Sequence, residues 1–100
     1  MPEFRLTNKA VEDLSKIWNY TFNTWSEKQA DKYYEMLTSH CQLIAESPGL
    51  GKNYGGIAQD LFGIKANRHL IFYRQLNENA VEVIRILHET MDLKNRILEE

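Results

Sequence analysis

The chain has 100 residues, 43% of them hydrophobic and 26% charged, with two Trp, five Tyr and four Phe. That length holds one domain with one modest core; it leaves no room for a deep enclosed cavity, and the aromatic content argues against disorder. Twelve basic and fourteen acidic groups sum to −2, with an isoelectric point near 5.9, which argues against a general nucleic-acid coat, whose domains usually lie above a pI of about 9.

The opening residues MPEFRLTNKA carry no apolar signal core. No run approaches the roughly 18 apolar residues of a membrane span. The expectation is a cytoplasmic chain with no membrane partner. Residues 3–7 alternate, with Phe4 and Leu6 on one face, and predict a short strand. Thr7 or Asn8 can cap a following helix by accepting an orphan backbone N–H. Val11, Leu14, Trp18, Thr21 or Phe22, and Trp25 recur at helical spacing, with Glu12, Asp13, Lys16 and Asn19 off the stripe.

Ser26-Glu27-Lys28-Gln29 matches a capping box, so a second helix begins there. Its stripe is Ala30, Tyr33 or Tyr34, Leu37, Cys41, Ile44 and Ala45. Pro48 ends it by disfavouring the helical conformation at Ser47. Two helices of about 17 and 20 residues with almost no linker predict an antiparallel helical hairpin. Residues 49–60 read as a loop. Segments 61–66, 69–76 and 81–87 then read as three strands, whose short connections make them an antiparallel meander. Thr90 is placed to cap a short last helix, Met91–Leu98.

The order β-α-α-β-β-β-α is an α+β arrangement: a helical hairpin packed on one face of a small, mainly antiparallel sheet, forming a single domain over residues 1–100. Cys41 has no partner for an internal disulfide and sits in the helical stripe, so it reads as a small buried apolar residue. With three scattered His, it fits no zinc spacing. Neither a metal nor any other cofactor is expected.

Residues 1–50 carry 5 basic and 7 acidic groups, and residues 51–100 carry 7 of each. Lys65, Arg68 and Arg74 fall in a stretch without acids, and Arg85 lies inside the apolar run IRIL. Period two puts Val83, Arg85 and Leu87 on one face, and Ile84, Ile86 and His88 on the other. A mid-strand Arg either pairs with a carboxylate such as Glu82 or Asp60, or presents a cation on the open sheet face. His69 and His88 flank this region. No nucleophile elbow, phosphate loop or His-x-x-x-His occurs. Metal-free RNA cleavage by Arg85, Lys65, His69, His88 and Tyr73 remains open, although nothing in the spacing singles it out. Tyr20, Phe22, Tyr33 and Tyr34 cannot all point inward, so some aromatic surface should be exposed as a groove for a partner.

The segments LTNKAVEDLSKIWNYTFNTWSEKQADKYY, AESPGLGKNY, RHLIFYR and VIRILHETMDLKNR, in this order, resemble the ParE branch of the RelE/ParE toxin superfamily. The pieces W-S-x-x-Q-A, H-x-I-F-Y-R and R-I-L-H-x-x-M-D carry the likeness, which spans nearly the whole chain. It implies a toxin of a type II toxin–antitoxin module. Such a toxin would inhibit DNA gyrase by protein–protein binding, without direct specific nucleic-acid binding. A ParD-like antitoxin would neutralise it in a hetero-oligomer. On this reading antitoxin contacts fall on Trp18, Phe22, Tyr33, Tyr34 and Leu37, and target contacts on Lys65, His69, Arg74, Arg85, His88 and Met91. Ala58 and Phe62 stand where relatives often carry Arg. The superfamily also contains ribosome-dependent mRNA endoribonucleases, for which Arg85, His88 and Lys65 would be the catalytic set. A non-toxic antitoxin-binding relative is the third reading.

Overall fold

A computed structural model describes residues 2–98. Strand β1 (Glu3–Leu6) leads into helix α1 (Asn8–Thr24), and helix α2 (Glu27–Glu46) follows directly. A single 3-10 turn (Pro48–Leu50) precedes β2 (Lys52–Asn53), β3 (Phe62–Ala66), β4 (His69–Asn77), β5 (Ala80–His88) and α3 (Leu93–Leu98). The expected order and class hold. β2 is an addition: two residues of the glycine-rich stretch read as loop pair with Phe62 and Gly63.

Caps set both long helices. Thr7 is the N-cap of α1, where its Oγ1 accepts from Ala10 N–H at 3.1 Å and donates to the Ile84 carbonyl at 2.7 Å. One hydroxyl therefore starts the helix and ties it to β5. Ser26 caps α2 through Gln29 N–H at 3.1 Å. Trp18 Nε1 on α1 donates to Asp31 on α2 at 3.0 Å, and the two residues lie at similar distances from the turn, as an antiparallel hairpin requires. The last helix starts later than its spacing predicted. Asp92, not Thr90, accepts from Asn95 N–H, while Thr90 is held by His88.

The sheet runs β1-β5-β4-β3-β2, antiparallel except for the parallel pair β1–β5. Asn67 opens the two-residue β3–β4 turn with φ 59°, a left-handed conformation that Asn tolerates better than most residues. Ala10, Leu14, Leu37, Cys41 and Ile44 from the helices pack on Ala66, Ile71, Tyr73, Val81, Val83 and Ile86 from the sheet. Burial pushes the Cys41 thiol up to about 12, so it is an inert core residue.

The opposite face is not open. Leu61, Phe72 and Leu87 form a second small core, covered by Leu93 and Ile97 of α3 and by Tyr54, Ile57 and Ala58. Strict alternation also fails in β5. Phe72 pairs with Arg85 but Tyr73 pairs with Val83, so Ile84 is an extra residue and forms a bulge. Val83 and Ile86 consequently share the helix-side core, whereas Ile84 and Leu87 face the other one.

Tyr73, one of the groups open to an RNA-cleaving role, is fully buried. Its hydroxyl donates to the Pro48 carbonyl at 2.6 Å and accepts from Gly51 N–H at 2.9 Å. A Cβ at position 51 would fall on that hydroxyl, so glycine is required there by close approach.

Candidate functional site

The second half of α1, one turn of α2 and the ends of β4 and β5 enclose an open cleft of about 530 Å³. Ile17, Tyr20, Thr21 and the helix-capping Trp25 line one wall, with Lys16 at their edge. Tyr33 comes from α2, Arg68 from the β3–β4 turn, His69 from the start of β4, His88 from the end of β5, and Thr90 and Met91 from the segment after it. Lys16 with Tyr20, and Ile17 with Thr21, are four residues apart and share a helix face. Trp25 is 75% exposed and Tyr20 62%, so the cleft carries aromatic surface that the fold itself does not use.

His69 and His88 are register partners across β4 and β5. Their rings meet edge to face with centres 5.2 Å apart. Tyr33 Oη lies 2.6 Å from His69 Nδ1. On His88, Nδ1 accepts from Thr90 N–H at 3.2 Å and lies 2.8 Å from its Oγ1. Burial, and then the neighbouring His88, lower His69 from 6.5 to about 4, so at neutral pH the ring that faces the Tyr33 hydroxyl is uncharged. Burial raises the Tyr33 phenol in turn.

The depressed His69 value has a consequence for stability. The unfolded chain takes up this proton as pH falls through about 6.5, while the folded chain resists until about 4. Stability is therefore lost on acidification across that window. Wild type should lose on the order of 2 kcal/mol more than His69→Gln between pH 7 and pH 4, as read by urea unfolding at each pH, after allowing for the ring's partial exposure. Parallel losses in the two proteins would contradict the assignment.

Beside the cleft lies a buried ion pair. Asp13 on α1 receives Arg85 Nε at 2.8 Å, Arg85 Nη2 at 3.0 Å and Ile86 N–H at 3.0 Å. β1 stops at Leu6, so beyond Val83 that edge of β5 has no strand beside it. The Asp13 carboxylate takes the backbone donor that such a strand would have taken. Arg85 Nη1 continues to the Arg96 carbonyl at 2.7 Å, which joins α1, β5 and α3.

A family model described as "ParE toxin of type II toxin-antitoxin system, parDE" matches residues 4–93. The chain belongs to the ParE toxin family. It is 33% identical over 94 residues to Toxin ParE1 of Caulobacter vibrioides, covering 94% of this chain and 96% of that one. Identity to Toxin ParE1 of Mycobacterium tuberculosis is 29% over the same shares. Toxin ParE of Escherichia coli is 28% identical, with 99% and 96% covered. A solved structure titled "Chromosomal ParDE TA system from P. aeruginosa" superposes with a TM-score of 0.74 at 14% identity, covering 88% of this chain and 96% of that one. That likeness shows the fold.

On this ParE fold the expected target residues do not form one patch. His69, His88 and Met91 meet in the cleft. Lys65 is exposed and ion-paired with Glu89 at 3.1 Å, a contact that holds the Glu89 carboxyl below its ordinary value. Arg74 sits toward the other end of β4, its Nε donating to the Gln59 carbonyl at 3.2 Å. Arg85 is 8% exposed. The expectation of a cation on an open sheet face is thus corrected twice: that face is covered, and the guanidinium is committed to Asp13, not to Glu82 or Asp60.

Of the residues expected to meet an antitoxin, Phe22 and Tyr34 are exposed, and Trp18 is half-buried and packs on Phe22 with ring centres 5.2 Å apart. Tyr33 faces the cleft. Leu37 is fully buried in the core, so its place on that surface is corrected. Sequence reasoning missed Asp13 and the cleft residues Lys16, Tyr20, Trp25 and Arg68 as members of one site. A signal for Asp13 existed: it lies between buried Ala10 and Leu14, where an acid demands a partner.

Among the described residues no three His, Cys, Asp or Glu side chains gather as a metal site, and no helix is long and apolar enough to cross a membrane.

Proposed function

We propose that this ParE-family protein is a toxin that acts in the cytoplasm by binding DNA gyrase, and that a ParD-like antitoxin neutralises it in a hetero-oligomer. The observation that carries this reading is the open cleft with exposed Trp25, Tyr20 and Met91. Aromatic and Met side chains left unburied by a fold this small are the anchors a protein partner uses. The family relationship and the relatives named ParE support it.

The endoribonuclease alternative needs Arg85, His88 and Lys65 to act on RNA together. Arg85 is buried against Asp13 and Lys65 is ion-paired with Glu89, which favours the binding reading. Gyrase contacts are assigned to His69, His88 and Met91, with the cleft wall around them. Antitoxin contacts are assigned to Trp18, Phe22, Tyr34 and Tyr33. The two sets meet at the Tyr33–His69 hydrogen bond, so an antitoxin that covers the hairpin's aromatic flank and reaches Tyr33 blocks the gyrase face.

Induction of the chain alone should arrest growth and relax plasmid DNA while mRNA stays full length. Co-expression of the antitoxin should restore growth and supercoiling. Arrest with cleaved mRNA and unchanged supercoiling would move the protein to the endoribonuclease class.

A further inference from the structure

We propose that His69 and His88 form a carboxylate receptor in the cleft, and that its occupant is an antitoxin segment carrying an Asp or Glu side chain beside a bulky apolar residue. This rests on the antitoxin partnership proposed above, extends the antitoxin's contacts from the hairpin flank into the cleft assigned to gyrase, so that the two partners compete for it, and adds the chemistry that is read.

The tautomers set which ring nitrogens donate. Nδ1 of His88 accepts the Thr90 backbone N–H, so in the neutral ring the proton sits on Nε2. Where the Tyr33 hydroxyl donates to Nδ1 of neutral His69 across their 2.6 Å contact, Nε2 is again the N–H donor. Among the described residues neither Nε2 has a hydrogen-bond partner, and no side-chain nitrogen or oxygen is both buried and unpartnered. Both atoms are therefore reachable by solvent, and both rings line the cleft. With ring centres 5.2 Å apart, the two rings are close enough for one carboxylate to engage both.

A metal ion on either Nε2 would need the proton moved to Nδ1. At His88 that proton would oppose Thr90 N–H, so the arrangement selects an anion over a cation. The surrounding charge agrees. The carboxylates that act on His69 are Asp13 and Glu89, and both are paired, with Arg85 and with Lys65 and Arg68. Lys16, on the opposite wall, has no partner among the described residues and is left to favour an incoming acid. The wall of Ile17, Trp25 and Met91 supplies the seat for the apolar neighbour.

The test uses two arms. In the first, the full chain is titrated with 3-phenylpropionate and with 3-phenylpropanamide, following the histidine Nε2 resonances by NMR. The acid should shift both, and the amide should not; in His88→Leu, which removes one Nε2 donor and keeps an apolar side chain at that position, the remaining His69 resonance should no longer respond. Equal shifts with acid and amide, or none, would overturn the receptor. In the second arm, each Asp and Glu of the antitoxin's toxin-binding segment is changed to its amide. One change should weaken the complex about tenfold or more with wild type and have no effect with His88→Leu. Absence of that coupling would overturn the assignment of the occupant. Failure of the partnership itself would read differently: the acid would still bind, but the antitoxin would leave the growth arrest unrelieved.

Discussion

Arg85→Ala is expected to cost about 3–5 kcal/mol of folding stability, and Asp13→Ala a similar amount. Each leaves a buried charge without its partner, and Asp13→Ala also orphans the Ile86 N–H. A domain of this size holds roughly 5–15 kcal/mol in all, so either change removes a large share of the folded population. Joint replacement by Asp13→Leu and Arg85→Met should restore part of the loss, because the two charges disappear together. Urea unfolding of the three variants checks this. A loss below about 1 kcal/mol for Arg85→Ala would contradict the structural role. The result bears on function as well, since loss of toxicity in an Arg85 variant would report unfolding, not a missing target contact.

Leu37→Ala should cost about 2–5 kcal/mol, because Leu37 is fully buried between α2 and the sheet and its truncation leaves a cavity. Phe22→Ala, on the exposed side of α1, should stay within about 1 kcal/mol. Antitoxin affinity should show the reverse order once only folded protein is compared, with Phe22→Ala the weaker binder. Denaturation together with calorimetric titration of the antitoxin separates the two effects. Equal stability losses would contradict the assignment of Leu37 to the core.

Local rules made most of the fold legible. Thr7 and Ser26 are caps by side-chain chemistry, and the two helical stripes and three meander strands follow from period and connection length. What escaped depended on contacts far apart in sequence. The Ile84 bulge shifts the alternation of β5, and nothing within IRIL announces it, because every neighbour is apolar. The cover over the second face comes from Leu93, Ile97 and Tyr54, whose spacing is too short and irregular to declare a buried side. Asp13 and Arg85 are 72 residues apart, so neither announces the other as its partner.

The candidate site was legible in part for the same reason. His69 and His88 stand out by their chemistry and Met91 through the family resemblance, and the register of β4 against β5 brings the two histidines together. Trp25 looked like a continuation of the α1 stripe. The chain turns at Ser26, so that last position has no core beneath it and projects over the cleft instead. The near-neutral charge total hid a further distinction. Arg85 and Lys65 are used internally, whereas Lys16 on the acidic half remains available.

Titration of purified gyrase with the wild-type chain and with Trp25→Ala, reading ATP-dependent supercoiling, decides whether the cleft grips gyrase. The wild type should inhibit supercoiling, and Trp25→Ala should need about tenfold more protein while unfolding within about 1 kcal/mol of wild type. Supercoiling unaffected by the wild type, or inhibited equally by both proteins, would contradict a toxin that grips gyrase through this cleft.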